Sequence, residues 1–350
     1  MGVYNKFSKN EIDFIAHCRD SGLSWIEVAS NYAGKFKERK SHNALRFALS
    51  RAAKATDKPF KVQIAPKVKA FKQIPPKLEG FHRHHESLVK MFKALGLKDG
   101  DVMRVVVQPD SHVPEHDKDA MSVFCKFLNY YKPHAIVNLG DFLEMESVAH
   151  WPQTTHAGSR RLVPEIQVGK EVLEQINAAA GKQCKFKWML EGNHEYWLQM
   201  YLNERIPEVA DQLENLGVKI DLQTLLGLEK LGYKALPVNE ILTIGDANFT
   251  HGYYTASNHA AKHLSVFGCN IYYGHLHDVQ SHSGVSVRGV HEAMSLGCLR
   301  TLNAPFLKGK PSNWSHAFGI FEFRLDGSFT RCVPIIVDGQ FSFNGKLFKA

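Results

Sequence analysis

Residues 102–112 read VMRVVVQPDSH, and the change of character inside that stretch decides the fold. Val102, Met103, Val105, Val106 and Val107 form a short, β-branched apolar run, which suits a strand buried on both faces of a parallel sheet. The run stops at Gln108-Pro109, and Asp110 and His112 follow at once. A helix is predicted next, over residues 118–131, with Met121, Phe124, Cys125 and Leu128 turned inward. Strand, polar loop and helix in succession is the repeating unit of a layered α/β domain.

The same unit returns further along the chain. A second apolar strand, residues 135–139, ends in Gly140-Asp141. A third, near residues 186–190, ends in Gly192-Asn193-His194-Glu195. A fourth, residues 247–250, ends in His251-Gly252, and a fifth, residues 270–273, ends in Gly274-His275-Leu276-His277. Helical patterns fill gaps between them, as at residues 165–180 and 257–267. Sites in layered α/β folds gather where loops leave the C-terminal ends of strands. Here each such end carries Asp, His or Asn.

Taken singly, Asp-x-His or His-Gly is an ordinary capped loop. As an ordered set, Asp110-x-His112, Gly140-Asp141, Gly192-Asn193-His194-Glu195, His251-Gly252 and Gly274-His275-x-His277 resembles the calcineurin-like metallophosphoesterases, across roughly residues 102–335. The resemblance implies an α/β domain built as a four-layer β-sandwich flanked by helices, with two divalent metal ions. After His277 the chain is rich in strand signals, FGIFEFRL and SFTRCVPIIV, with Asp-Gly turns at Asp326-Gly327 and Asp338-Gly339 that read as hairpins. Residues 203–238 read as an insertion of one or two helices.

Phosphodiesters are anionic and water is a poor nucleophile, so a pair of divalent cations is a natural catalyst for their hydrolysis. The family resemblance implies that Asp141 bridges the two ions. It places Asp110, His112 and His277 on one ion, and Asn193, His251 and His275 on the other. Imidazole mixed with carboxylate and amide oxygen suits borderline transition metals better than calcium. Manganese is expected first, with Fe, Zn, Co and Ni also compatible. In the family the histidine at the place of His194 protonates the leaving oxygen or steadies charge on the phosphoryl group. Glu144, three positions after Asp141, is its expected carboxylate partner, or else a surface residue of a first helical turn. The protein Ser/Thr phosphatases of this family carry a phosphate-gripping Arg at the place of Met145, so this chain departs from them. Arg160 and Arg161 could supply that charge, or be solvated. Trp151, Trp197 and Tyr253 could stack on a base, or simply pack.

The charge is unevenly spread. Residues 1–80 hold 16 Lys+Arg against 7 Asp+Glu, a balance of +9, while the remainder holds 27 against 28. Such asymmetry suits a segment that docks on a polyanion, or a solubilising tail. The segment also carries helix signals. Ser8-Lys9-Asn10-Glu11 is a capping box, followed by Ile12, Ile15 and Cys18 at helical spacing and by Gly22 as a stop. Ser24-Trp25-Ile26-Glu27 is a second box, leading a helix with Trp25, Val28, Ala29 and Tyr32 that should stop at Gly34. A third helix is predicted over residues 41–54, with Ala44, Leu45, Ala48, Leu49 and Ala52 inward. Its polar face offers Asn43, Arg46, Ser50 and Arg51, with Lys40 just before it. Residues 7–53 resemble Myb-like helix-turn-helix domains, which implies DNA contact through those residues. A three-helix protein-interaction module is the competing reading.

The expected organisation is therefore a helix-turn-helix domain at residues 1–56, a basic linker and lead-in helix at 57–100, and a dinuclear domain at 101–350. His82, His84 and His85 fall at the helix-like start inside that linker, as solvated or metal-binding residues. Joined together, the two halves point to a metal-dependent phosphodiesterase acting on DNA, an endo- or exonuclease. The alternatives are a phosphomonoesterase acting on nucleic-acid ends or nucleotides, and a DNA-binding regulator with a vestigial phosphoesterase domain. Composition excludes a disordered or collagen-like chain, with 44% hydrophobic and 22% charged residues. No apolar run approaches the ~18 residues of a membrane span, and the opening MGVYNKFSKN lacks the apolar core of a signal peptide. Six scattered cysteines form no CxxC pair, which predicts reduced thiols in a cytoplasmic chain.

Overall fold

The structure is a computed structural model that describes residues 7–20, 25–37, 82–149, 161–287 and 289–350, together with Lys40, Ala44, Leu45 and Ala48. The chain divides into two compact units, Met1–Pro76 and Lys77–Ala350.

In the first unit, α1 (Lys9–Asp20) and α2 (Trp25–Phe36) pack on each other. The first capping box is formed: Glu11 Oε2 accepts the Ser8 N–H at 2.7 Å, and Ser8 Oγ accepts the Glu11 N–H at 3.3 Å. Ile15 and Cys18 of α1, Val28 and Tyr32 of α2, and Leu45 are buried in one cluster. The second helix runs past Gly34 and ends at Phe36, whose ring meets Phe14 edge-on at 5.4 Å. That contact outweighs the modest helix penalty of one glycine. Ala44, Leu45 and Ala48 have helical backbone. Asn43, Arg46, Ser50 and Arg51, the residues expected to contact DNA, lie outside the described residues, as do Gly22 and Ser24.

The second unit opens with β1 (His82–Glu86), α3 (Leu88–Leu95), β2 (Met103–Gln108), α4 (Lys118–Tyr131) and β3 (Ala135–Asn138). It continues with α5 (Leu162–Ala180), β4 (Phe186–Leu190), α6 (Asn193–Arg205), α7 (Pro207–Asn215), α8 (Leu222–Leu226), β5 (Lys234–Leu236), β6 (Glu240–Ile244) and β7 (Ala247–Thr250). It closes with α9 (His259–Phe267), β8 (Ile271–Tyr273), β9 (Ser281–Ser286), β10 (Gly289–Ser295), β11 (Gly319–Phe323), β12 (Phe329–Cys332), β13 (Gln340–Phe343) and β14 (Lys346–Lys349). Two six-stranded sheets result, in the orders β1-β6-β7-β8-β10-β9 and β12-β11-β2-β3-β4-β5.

Side-chain alternation builds the layers. Met103, Val105 and Val107 of β2, with Val137 of β3 and Leu190 of β4, enter a core shared with Leu242, Ile244, Phe249 and Tyr272 of the other sheet. Val106, Ile136 and Met189 point the opposite way, into a cluster with Phe124, Leu173, Ile176, Leu198 and Leu226 from the helices. On the outer face of the first sheet, Leu264 and Phe267 of α9 cover Ile271, Tyr273 and Ala293. Helix, sheet, sheet, helix is the four-layer α/β architecture expected from the family resemblance. Each fully buried Val, Leu or Phe contributes about 1.5–3 kcal/mol.

Three elements differ from the sequence reading. Residues 82–86 are a strand and not a helical start: β1 pairs in parallel with β6 at the sheet edge. His84 and Glu86 share a face two residues apart and bond at 2.7 Å, a spacing a helix would separate. This strand belongs to the large unit, which begins at Lys77. The insertion after α6 holds helices but also β5, the edge strand beyond β4. The second Asp-Gly turn leads into β13, whose partner β14 follows across Asn344-Gly345, and this hairpin covers α4 through Phe127, Phe341 and Phe348. Among the described residues no helix is long and apolar enough to cross a membrane, and all six cysteines are free.

Candidate metal centre

The C-terminal ends of β2, β3 and β4 in one sheet, and of β7 and β8 in the other, converge on a single cluster. Asp110, His112 and His277 bring one ligand atom each within 4.8 Å of one another, and so do Asp141, His251 and His275. A third overlapping group is His112, Glu144 and His194. Asp141 stands between them: its Oδ2 lies 3.3 Å from His251 Nε2 and 3.8 Å from the Nε2 atoms of both His112 and His194. Asn193 Oδ1 is 3.0 Å from His251 Nε2, and Asp110 Oδ2 is 3.2 Å from His277 Nε2. Every residue expected as a ligand from the sequence is thus in this one cluster.

The loops reach it through unusual backbone. His112, Asp141, His275 and His277 have φ of 50°, 47°, 69° and 63°, a left-handed region that side chains other than glycine rarely adopt. Such strain costs about 1–3 kcal/mol per residue and concentrates at functional sites. The motif glycines supply the clearance. A Cβ on Gly192 would fall 2.1 Å from Asp141 Oδ1, and one on Gly274 would fall 2.0 Å from Asp110 Oδ1.

Hydrogen bonds fix the imidazoles. His251 Nδ1 donates to the Leu139 carbonyl at 3.0 Å, His194 Nδ1 to the Glu144 carbonyl at 2.5 Å, and His112 Nδ1 to the Glu144 carboxylate at 2.7 Å. Each therefore turns Nε2 toward Asp141, the tautomer control seen around metal-binding histidines. Glu144 thus serves two histidines differently. Its carboxylate bonds His112 and Arg300 and brings Oε2 to 4.0 Å from His194 Nδ1, while its main-chain oxygen takes the His194 hydrogen bond. The His194 ring also lies on Trp197, with centroids 3.9 Å apart, so Trp197 is occupied within the protein.

Electrostatics favour a cation. Burial works against charge on Asp141, but His251 and His194 beside it hold its carboxyl well below the usual range. Burial likewise opposes charge on His251, yet Asp141, Asp110 and Glu195 push the imidazole up to about 10. Burial and the His251 charge bring His275 down to about 4. The carboxylates therefore draw positive charge into a sealed site. The His112 and His277 Nε2 atoms face each other at 3.0 Å, and the Nδ1 atoms of His275 and His277 are buried without a hydrogen-bond partner. A carboxylate, amide and imidazole set whose Nε2 atoms face one another in this way fits divalent transition metals.

Two residues escaped the sequence reading. Glu195 is 5% exposed and accepts the N–H groups of Asp141, Leu143 and Gly192 at 2.9 Å each, clamping the β3 and β4 loops together. Burial and the Asp141 charge raise its pKa to about 8. Arg300 is 3% exposed and bonds both Glu144 oxygens. Met145, where the sequence departs from the expected phosphate-gripping Arg, is fully buried in the helix-side core. Of the residues considered for substrate contact, Arg161 is the exposed residue leading into α5, and Arg160 and Trp151 lie outside the described residues. The Tyr253 hydroxyl accepts from Thr250 at 2.8 Å, and its ring packs on Phe267 at 5.5 Å.

No family model matches the chain. It is 25% identical over 265 residues to the Gene 54 protein of Mycobacterium phage D29, a span of 70% of this chain and 98% of that protein. Its identity to the Gene 54 protein of Mycobacterium phage L5 is 24% over 263 residues, again 70% of this chain and 98% of the relative. Among solved structures, a single mutant of Vps29 from Entamoeba histolytica is 14% identical with a TM-score of 0.38, covering 71% of this chain and 98% of its own. Vacuolar protein sorting 29 from Cryptosporidium parvum is 14% identical with a TM-score of 0.37, covering 71% of this chain and 100% of its own.

Proposed function

We propose that this protein is a metal-dependent phosphodiesterase acting on nucleic acid, a DNA endo- or exonuclease. The observation that carries the reading is Asp141 Oδ2, with His251 Nε2 at 3.3 Å and His112 Nε2 at 3.8 Å, one from each ligand group. Asp110, His112 and His277 would hold one ion, Asn193, His251 and His275 another, and Asp141 would serve both. Divalent ions held there would polarise the phosphoryl oxygens and acidify an attacking water.

The chain's own residues supply the rest. His194 is the most accessible of the three histidines whose Nε2 lies within 3.8 Å of Asp141 Oδ2: its side chain is 15% exposed, against 1% for His112 and 7% for His251. Its Nδ1–H is held by the Glu144 carbonyl, so its Nε2 is the nitrogen that would take up a proton and, as the imidazolium, pass it to the leaving oxygen. Trp197 and Glu144 keep the ring from turning.

The nucleic-acid half of the reading rests on the +9 balance of residues 1–80 and on the helical packing of α1 and α2. The test is incubation of manganese-loaded protein with labelled single-stranded DNA, duplex DNA and RNA, followed by analysis of the product ends. Chelator-sensitive cleavage of internal or terminal phosphodiesters is expected. Hydrolysis of terminal phosphates or free nucleotides alone would replace this reading with a phosphomonoesterase.

A further inference from the structure

We propose that residues 302–314 form a stacking platform, seating a nucleobase of single-stranded nucleic acid beside the metal centre. The proposal rests on the nucleic-acid reading above and names how the substrate is held.

The loop is anchored at both ends to residues of the centre. The Leu299 N–H donates to the Asp110 carbonyl at 2.7 Å, and the Ser315 N–H donates to the His277 carbonyl at 2.8 Å. Trp314 lies edge-on to the His277 ring, with centroids 4.4 Å apart, and Phe306 meets Trp314 at 5.9 Å. Packing accounts for Trp314. It does not account for Phe306, which remains 58% exposed although the Arg300 guanidinium lies 5.1 Å from its ring centroid. A large aromatic side chain left in water, with Trp314 alone between it and a candidate metal ligand, offers a face to a ligand with its own π-system.

The charge around it selects the ligand. Residues 295–321 contain Arg300, Lys308 and Lys310 and no Asp or Glu, and both lysines are exposed. A cavity of about 480 Å³ within the loop itself is lined by Pro305, Leu307, Lys310, Pro311 and Trp314, next in sequence to Phe306, and is within the range of small-ligand sites. One exposed aromatic ring followed by two exposed lysines, next to a site for phosphoryl chemistry, matches a strand whose base stacks while its phosphates track positive charge. The base must be unpaired to lie on Phe306, so the platform favours single strands, and any base can stack.

The test compares kcat/KM of the full-length, manganese-loaded protein on hexathymidylate and on an abasic oligomer of equal length. The wild-type protein is expected to favour hexathymidylate by about five- to a hundredfold. Phe306→Leu should bring the two substrates close to parity, whereas Phe306→Tyr should keep the preference, because it preserves the ring. Equal rates on both oligomers in the wild type, or an undiminished preference in Phe306→Leu, would overturn the platform and leave the nuclease reading standing. Failure to cut either oligomer, with a small chromogenic phosphodiester still hydrolysed, would overturn both.

Discussion

Arg300 grips Glu144 with both terminal nitrogens, Nη1 on Oε2 at 2.8 Å and Nη2 on Oε1 at 2.9 Å, and both side chains are nearly sealed from solvent. Glu144 Oε2 also accepts from His112 Nδ1 at 2.7 Å, so the pair ends on a candidate ligand. Loss of such outer contacts typically costs 10–100-fold in metal affinity. Glu144→Gln should therefore weaken metal binding by about 10–100-fold. Arg300→Met should instead cost about 3–5 kcal/mol of stability, because it strands a buried carboxylate. The double variant should recover part of that stability without recovering metal affinity. Denaturant unfolding and metal titration of the three variants check this; strictly additive stability losses would contradict the coupling.

Asp141 and His194 lie 3.8 Å apart but should fail differently when replaced. Asp141→Asn removes the carboxylate between the ligand groups, so most bound metal and nearly all activity should go. His194→Ala should keep its metal while turnover drops about 10²–10⁴-fold, the usual worth of a positioned general acid. Metal analysis beside activity measurements separates the cases. Equal metal loss in both variants would merge roles that the geometry separates.

Gly192 and Gly274 are there for clearance. Gly192→Ala would set a Cβ 2.1 Å from Asp141 Oδ1, and Gly274→Ala one 2.0 Å from Asp110 Oδ1. Overpacking of this kind costs about 1–3 kcal/mol. Since the displaced atoms are candidate ligands, metal affinity should fall along with stability. Gly268→Ala is the comparison: it has φ +59° but no neighbour within 4 Å, so it should show only a left-handed backbone penalty of about 1–2 kcal/mol. Equal metal affinity in all three variants would sink the clearance role.

The α/β layering and the candidate ligands are legible because each motif is local: VMRVVV declares its strand, and the polar residues follow within a few positions. Arg300 is not legible in that way. It meets Glu144 across 156 positions of sequence, and no local motif announces the pair. Glu195 is visible as a letter of its motif, but its work is to accept three N–H groups from two loops, which only the assembled sheet reveals. β1 reads poorly because a polar edge strand carries no apolar alternation, and its order comes from pairing with β6. The pairing of Glu144 with His194 is half legible, since the spacing gives proximity and not which oxygen is used.

Acid should weaken the fold through His134. Its Nδ1 accepts the Arg104 N–H at 3.1 Å, and it is 8% exposed. Burial, and then the Arg104 charge, bring its pKa from 6.5 down to about 4. The folded protein thus keeps this imidazole neutral while the unfolded chain takes up a proton. Its contribution is complete above about 6.5 and is lost as pH falls toward about 4. His134→Asn, which retains an acceptor but cannot titrate there, should flatten the pH dependence of urea unfolding across that window. An unchanged slope would show that His134 is not the titrating group.

Docking and chemistry should separate along the chain. Residues 1–80 carry the +9 balance, whereas every candidate ligand lies at Asp110 or beyond, inside the Lys77–Ala350 unit. Phosphate contacts release counterions, so the logarithm of affinity should fall against that of salt with a slope near roughly −0.9 per neutralised phosphate on duplex DNA. Deleting residues 1–76 should weaken DNA binding and flatten that slope, while hydrolysis of a small chromogenic phosphodiester persists. Arg46→Ala and Arg51→Ala should each reproduce part of the binding loss without changing small-substrate turnover. A truncated protein that binds and cuts DNA like the full chain, with the same salt slope, would make the N-terminal helices a partner-binding module. The nucleic-acid contacts would then belong to the metal-bearing unit alone.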